Sequence, residues 1–140
     1  MASAERAPVV VVGADGSTES AAAVAWAQRY AQTTGASLRV VVAYMWPMSY
    51  GYPMRFEGFD PRRDAERVAE KVSAGLTLPS ERVSTHVVDG HTGEVLVADS
   101  ADADLLVVGA RGQSIIQRLT LGSISTYCVH HATVPVVVVR

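Results

Sequence analysis

An α/β fold, with a parallel sheet covered by helices on both faces, is predicted by three features of this chain. Strand-length apolar runs alternate with helix-length segments four times, and a final strand-like run closes the series. The strand-like runs are continuously apolar, as at Val9–Val12 and Val136–Val139, which suits strands buried on both faces. Hydrophobic residues make up 49% of the 140 residues but aromatics only 6%, so the core must be aliphatic, built mainly from Val and Ala. Such alternation implies a doubly wound sheet with right-handed crossovers. No repeat, low-complexity tract or linker divides the chain, so residues 1–140 are expected to form a single domain.

Each element has its own signal. Pro8 to Ala14 reads as the first strand, ended by Asp15-Gly16-Ser17. Ser17 is placed to cap the next helix, Glu19 suits its first turn, Trp26 and Tyr30 share one face, and Gly35 stops it. Leu38 to Tyr44 is the second strand. Met45 to Arg63 mixes Met, aromatics, Pro and Gly without a period and reads as a long irregular loop. Arg62 to Leu76 reads as a helix with Val68, Val72 and Leu76 at four-residue spacing. Arg82 to Val88 is the third strand, and Thr92 to Ala101 a short helix with Thr92 as N-cap and Glu94 in the first turn. Asp104 to Val108 and Val134 to Val139 are the fourth and fifth strands, flanking a helix from Gly122 to Ala132.

Composition excludes some classes. A net charge of −2 points to neither nucleic acid nor a membrane surface as partner. A single cysteine, Cys128, leaves no internal disulfide and suits a reducing compartment; it reads as a small buried apolar residue. The opening MASAERAP carries no apolar run before the first strand, so no signal peptide is expected, and no run is long enough to span a bilayer. The expectation is a soluble cytoplasmic protein.

The stretch from Gly109 to Ser125, GARGQSIIQRLTLGSIS, carries the chemistry. It joins the fourth strand to the last helix. Glycines let a ligand approach the main chain, and a helix start offers unpaired N–H groups with a partial positive charge. Together they make an anion cradle suited to phosphate. The loop lacks the Lys of a P-loop, because Gly122 is followed by Ser123, and its first glycines are too widely spaced for the dinucleotide fingerprint. The motif alone leaves open a plain loop with turn glycines.

Gly109, Gly112, Gly122 and Ser123 match in full the Gly-two-Gly-nine-Gly-Ser nucleotide signature of the ATP-binding universal stress proteins, which this chain resembles. The resemblance extends through VVVVGADGSTES at the start and TYCVHHATVPVVVVR at the end, and is weakest from about Met45 to Arg63. It implies a Rossmann-like three-layer sandwich on a five-stranded parallel sheet of order 3-2-1-4-5. Ligands of such sheets bind beyond the C-terminal strand ends where the order reverses. In this order that is between the first and fourth strands, which end at Asp15 and Gly109.

By the resemblance, Asp15 would hold the ribose, Ala43 would face adenine, and Ser123 would contact phosphate. Ala14 shapes the pocket wall, and Ile124 and Ser125 are further candidates at the start of the last helix. Arg118, and less so Arg111, could neutralise phosphate charge. Asp15 could instead satisfy loop amides, and the arginines could be solvated surface. Mg²⁺ or Mn²⁺ would be bound through ATP phosphates, with no protein metal ligands committed. His130 and His131, adjacent on a helix, make a poor chelating pair and suit its C-terminus; His91 reads as a turn residue.

No nucleophile elbow or paired carboxylate marks a catalytic residue. The resemblance therefore implies an ATP-binding sensor or regulator of stress response. It also implies a homodimer through the last strand, whose Val136–Val139 edge needs cover. The alternatives are a slow metal-dependent ATP hydrolase, or a protein-interaction module with a vestigial pocket. The loop from Trp46 to Phe59 leaves the sheet at the ligand end, as surface packing, a mobile lid or a partner surface.

Overall fold

A computed structural model gives the fold, and residues 6–110 and 121–140 are described. The chain begins with β1 (Val9–Gly13), α1 (Thr18–Thr34) and β2 (Ser37–Tyr44). A two-stranded hairpin follows, β3 (Met48–Ser49) and β4 (Tyr52–Pro53), then α2 (Pro61–Ala74) and a short 3-10 turn at Ser80–Arg82. β5 (Val83–Asp89), α3 (Thr92–Ser100), β6 (Leu105–Gly109), α4 (Ser123–His131) and β7 (Val136–Val139) complete it. The main sheet has the order β5-β2-β1-β6-β7, with every pairing parallel. Counted along the chain, its five strands lie in the order 3-2-1-4-5, as the resemblance implied.

The continuous apolar runs lie where a doubly covered sheet needs them. Val10, Val12, Val40, Val42 and Val107 turn to the α1–α2 side, and Val11, Val41, Leu106 and Val108 to the α3–α4 side. The two layers follow from the two-residue period of a strand. α1 can lie close to the sheet because its buried stripe is small: Ala23, Ala27 and Ala31 are fully buried at four-residue spacing. Its ends are as the sequence predicts. Ser17 Oγ accepts from Ser20 N–H at 3.1 Å, and Gly35 adopts φ 77°.

Two expectations are corrected. The Met45–Arg63 segment is not irregular throughout, because β3 and β4 pair antiparallel around Tyr50 and Gly51, both at positive φ. These two left-handed residues are what a two-residue hairpin turn requires, but Tyr-Gly is a weak sequence signal for it. Thr92 is the first helical residue rather than the N-cap; His91 takes that position, with no side-chain hydrogen bond to the helix.

A partly buried ionic cluster, open to solvent at Asp102, ties the end of α3 to the sheet. The Arg39 guanidinium reaches the Asp99 carbonyl at 2.8 Å, the Asp99 carboxylate at 3.1 Å and Asp102 at 3.0 Å, while His86 Nδ1 lies 2.9 Å from Asp99. The hydrogen bond and charge of Arg39 hold the Asp102 carboxyl below the usual carboxylate range. Arg82 plays a related part at the bottom of the sheet, donating to the Ala31 and Ala36 carbonyls.

Candidate functional site

The strand pairings fix which candidate residues stand together. Gly13 lies beside Val41, and the Ala14 N–H continues the ladder to the Val41 carbonyl at 2.9 Å. Carrying the same register two residues on sets Asp15 level with Ala43. On the other side Val12 lies beside Val107, which sets Ala14 level with Gly109. Ala43, Ala14, Asp15 and Gly109 therefore gather at the C-terminal ends of β2, β1 and β6. This is the point where the chain's excursions change direction, β2 and β5 to one side of β1, β6 and β7 to the other.

Asp15 is half-buried in the turn before α1. Its Oδ1 accepts from the Ser17 N–H at 2.9 Å, and its own N–H donates to Ser20 Oγ at 3.2 Å. The carboxylate is thus held in place by the helix start behind it. The loop-amide role considered for Asp15 is present in the bond to Ser17.

Gly109 has a packing reason of its own. A Cβ there would stand 3.0 Å from the Glu19 carbonyl oxygen on α1, which is backbone and cannot swing away. Gly109 lets β6 end directly beneath the first turn of α1. Gly112 and Arg118, like Arg111, lie outside the described residues.

The far side of the loop returns to its starting point. The Gly122 N–H donates to the Ala110 carbonyl at 2.6 Å, and Ser125 Oγ donates to the same carbonyl at 2.7 Å and accompanies it with a 3.0 Å bond to the Gly122 carbonyl. Ser125 is fully buried. Its hydroxyl thus fastens α4 to the end of β6, and its contribution to a ligand would come from its main chain. Gly122 is the N-cap of α4, with no side chain capping the helix. Its φ of −72° is open to any residue, so no backbone strain demands glycine there. Ser123 is exposed and Ile124 half-buried beside it.

A groove of about 540 Å³ joins this helix start to the end of β2. Ala43, Tyr44 and Met45 form one wall, Ser123, Ile124 and Tyr127 the other, and the turn from Gly90 to Glu94 the floor between. The α3–α4 approach behind it is close: a Cβ on Gly93 would stand 2.8 Å from the Tyr127 ring. The structure thus brings Ala43, Ser123 and Ile124 to one groove. Tyr44, Met45, Glu94 and Tyr127 line it too and were not singled out from the sequence. His91, at the expected strand-to-helix turn, also faces it. Among the described residues, no group of three or more His, Cys, Asp or Glu could hold a metal ion.

The model of the universal stress protein family matches residues 8–140. This chain belongs to the universal stress protein family. A universal stress protein of Mycolicibacterium smegmatis is 35% identical over 94% of the chain, which covers 47% of that relative. The chain spans about half the length of the mycobacterial relatives it matches. A relative from Thermus aquaticus, also 35% identical, is matched over 94% of this chain and 97% of its own length.

Solved structures of the family have the same fold. The Lactobacillus plantarum protein UspA aligns over 97% of this chain with a TM-score of 0.71 at 24% identity. A universal stress protein solved in complex with cAMP aligns over 95% with a TM-score of 0.62 at 31% identity.

Proposed function

We propose that this universal stress protein binds an adenine nucleotide, ATP foremost, and acts as a nucleotide-dependent sensor or regulator in a stress response. The observation that carries the reading is the uncapped N-terminus of α4, opening on the groove that reaches Ala43. An α4 start held by Ala110 and Ser125 presents the amides after Gly122 in a fixed direction. Such amides, with the helix dipole, suit phosphate oxygens. Gly122 adds no side chain where a phosphate would lie, and the Ser123 hydroxyl is exposed beside it. Gly109 and Gly112 would bring the loop's main chain to the phosphates, and Arg118 would neutralise their charge.

Asp15, near the end of β1 beside β2, suits the ribose, whose two hydroxyl donors a carboxylate can accept. Ala14 would form the wall behind it. The adenine would lie against the Ala43 main chain and the apolar surfaces of Ile124 and Met45. A divalent ion, Mg²⁺ or Mn²⁺, would take its ligands from the phosphates and water, and would supply charge neutralisation there.

A second reading is cyclic AMP in the same slot. The 31%-identical neighbour solved with cAMP favours it. Titration calorimetry with ATP, GTP and cAMP, with and without Mg²⁺, decides. ATP binding that tightens with Mg²⁺ and exceeds GTP binding is the expected result. Metal-independent binding of cAMP above ATP would select the second reading, and no heat with any of the three would overturn both.

Hydrolysis is expected to be slow, because the sequence carries no catalytic motif. We also propose that two copies pair through β7, as the resemblance implies. Its four valines are only half-buried within one chain, and its outer edge has no partner strand among the described residues.

A further inference from the structure

The other edge of the sheet is built differently. β5 runs for seven residues, VSTHVVD, with β2 on one side and no strand on the other among the described residues. The Gly90 N–H donates to the Tyr44 carbonyl at 2.8 Å, so even-numbered residues of this strand turn their N–H and C=O toward β2. Alternation turns the main-chain groups of Thr85, Val87 and Asp89 outward. Natural edges are blunted by proline, lysine, a bulge or short length, and β5 has none of these.

A groove lies on each face beside this edge. One, of about 530 Å³, runs under α2 and includes Glu66 and Glu70; the other, of about 450 Å³, runs beside α3 and includes Asp89, Glu94 and Asp99. No Lys or Arg lines either groove. Glu66 pairs with Arg62, and Asp99 with Arg39 and His86. Among the described residues Glu70, Asp89 and Glu94 form no ion pair, and they leave an acidic field on both faces of the same edge.

We propose that β5 is a docking edge for an extended, basic peptide segment of a partner protein. An added strand would take main-chain hydrogen bonds from Thr85, Val87 and Asp89. Its alternate side chains would enter the two grooves, where lysine or arginine meets the carboxylates. A second copy of this chain is disfavoured as occupant, because pairing two β5 edges would bring the two acidic fields together. The inference does not depend on nucleotide binding.

The test uses the whole protein and a fluorescein-labelled peptide of paired lysines separated by single valines or threonines, about nine residues long so as to span the strand and present lysine on both faces. The same peptide with glutamate for lysine is the control. Anisotropy should show the basic peptide binding at least roughly tenfold more tightly, with the difference shrinking as salt rises.

Thr85→Pro removes an outward N–H but no bond to β2, so it should fold and lose roughly tenfold or more in affinity. Glu70→Lys combined with Asp89→Lys should do the same. Independently of any variant, amide spectra of the unsubstituted protein should shift at Thr85, Val87 and Asp89 on adding unlabelled peptide. The proposal is overturned if neither peptide binds, if both bind equally, or if the shifts fall away from β5. It is also overturned if light scattering shows self-association that Thr85→Pro abolishes, which would make a second copy the occupant.

Discussion

Gly122 and Gly109 are both signature glycines, and the structure gives them different work. At Gly109 a side chain would meet the α1 backbone, so Gly109→Ala should cost about 1–3 kcal/mol in urea unfolding whether or not ligand is present. At Gly122 the backbone tolerates any residue, so Gly122→Glu should keep a native circular dichroism spectrum. It should still lose ATP affinity by about a hundredfold or more, since it places a carboxylate beside the phosphates. Normal ATP affinity in the folded Gly122→Glu protein would move the phosphates away from α4.

Ser125 differs again. Its buried hydroxyl lies within reach of two carbonyls that each also accept a main-chain N–H, so Ser125→Ala removes a hydrogen bond without orphaning either and should cost about 0.5–1.5 kcal/mol in urea unfolding. Asp102 sets a pH dependence. Its carboxyl is held low in the folded state by Arg39, so its contribution is present above the ordinary carboxylate range and is lost as pH falls through the folded value. The acid limb of a stability-against-pH curve should therefore flatten in Asp102→Asn. An unchanged limb would locate the acid sensitivity elsewhere.

At the scale of elements, the hairpin between β2 and α2 is the feature that periodicity alone missed. Trp46 and Phe56 meet Phe59 edge-on at 6.2 and 6.0 Å, and Arg55 lies 5.0 Å over the Trp46 ring, so the base of the excursion packs on itself. Its tip does not: Tyr50 is 98% exposed and sits at φ 51°. Asn is better suited than Tyr to this left-handed position before Gly51, and no packing is lost. Tyr50→Asn should therefore slow amide exchange at Tyr52 and Met54, whose N–H bonds to the Pro47 carbonyl at 2.7 Å.

The lid reading belongs to the same element. Met45 lines the groove at the hairpin's root. If the hairpin closes over bound nucleotide, Mg-ATP should protect amides from Trp46 to Phe59 as well as those at the start of α4. Protection at α4 alone would leave the hairpin as packing or a partner surface.

For the whole molecule, the two sheet edges are expected to act separately. β7 has its Val137 and Val139 main-chain groups turned to β6, since the Ala110 N–H donates to the Val139 carbonyl, and its Val136 and Val138 groups turned outward. Light scattering should find a dimer that Val138→Pro converts to monomer while Thr85→Pro leaves it intact. Turnover is also a property of the whole assembly. With no catalytic motif in the sequence, metal-dependent ATP hydrolysis should run well below the ~10 s⁻¹ of a typical enzyme. Ordinary enzyme rates, lost in Gly122→Glu, would make the protein a hydrolase.

Local information was enough for the five strands of the main sheet, its four helices and the fold class. The Val runs, the Ser17 cap and the Gly35 stop each act within one turn or one strand, and each was legible in the chain. Gly109, Gly122 and Ser123 were legible as a loop pattern, and their meaning came from the family resemblance. Tertiary structure alone decided what depends on residues far apart in sequence. The gathering of Ala43, Ala14, Asp15 and Gly109 at one end of the sheet comes only through strand register. The groove walls at Tyr44, Glu94 and Tyr127 come from three separate crossovers. The acidic field along β5 joins its own Asp89 to carboxylates of α2 and α3, which share no sequence pattern with that strand. Periodicity reports which face of an element is buried; it carries no record of which other element lies against that face.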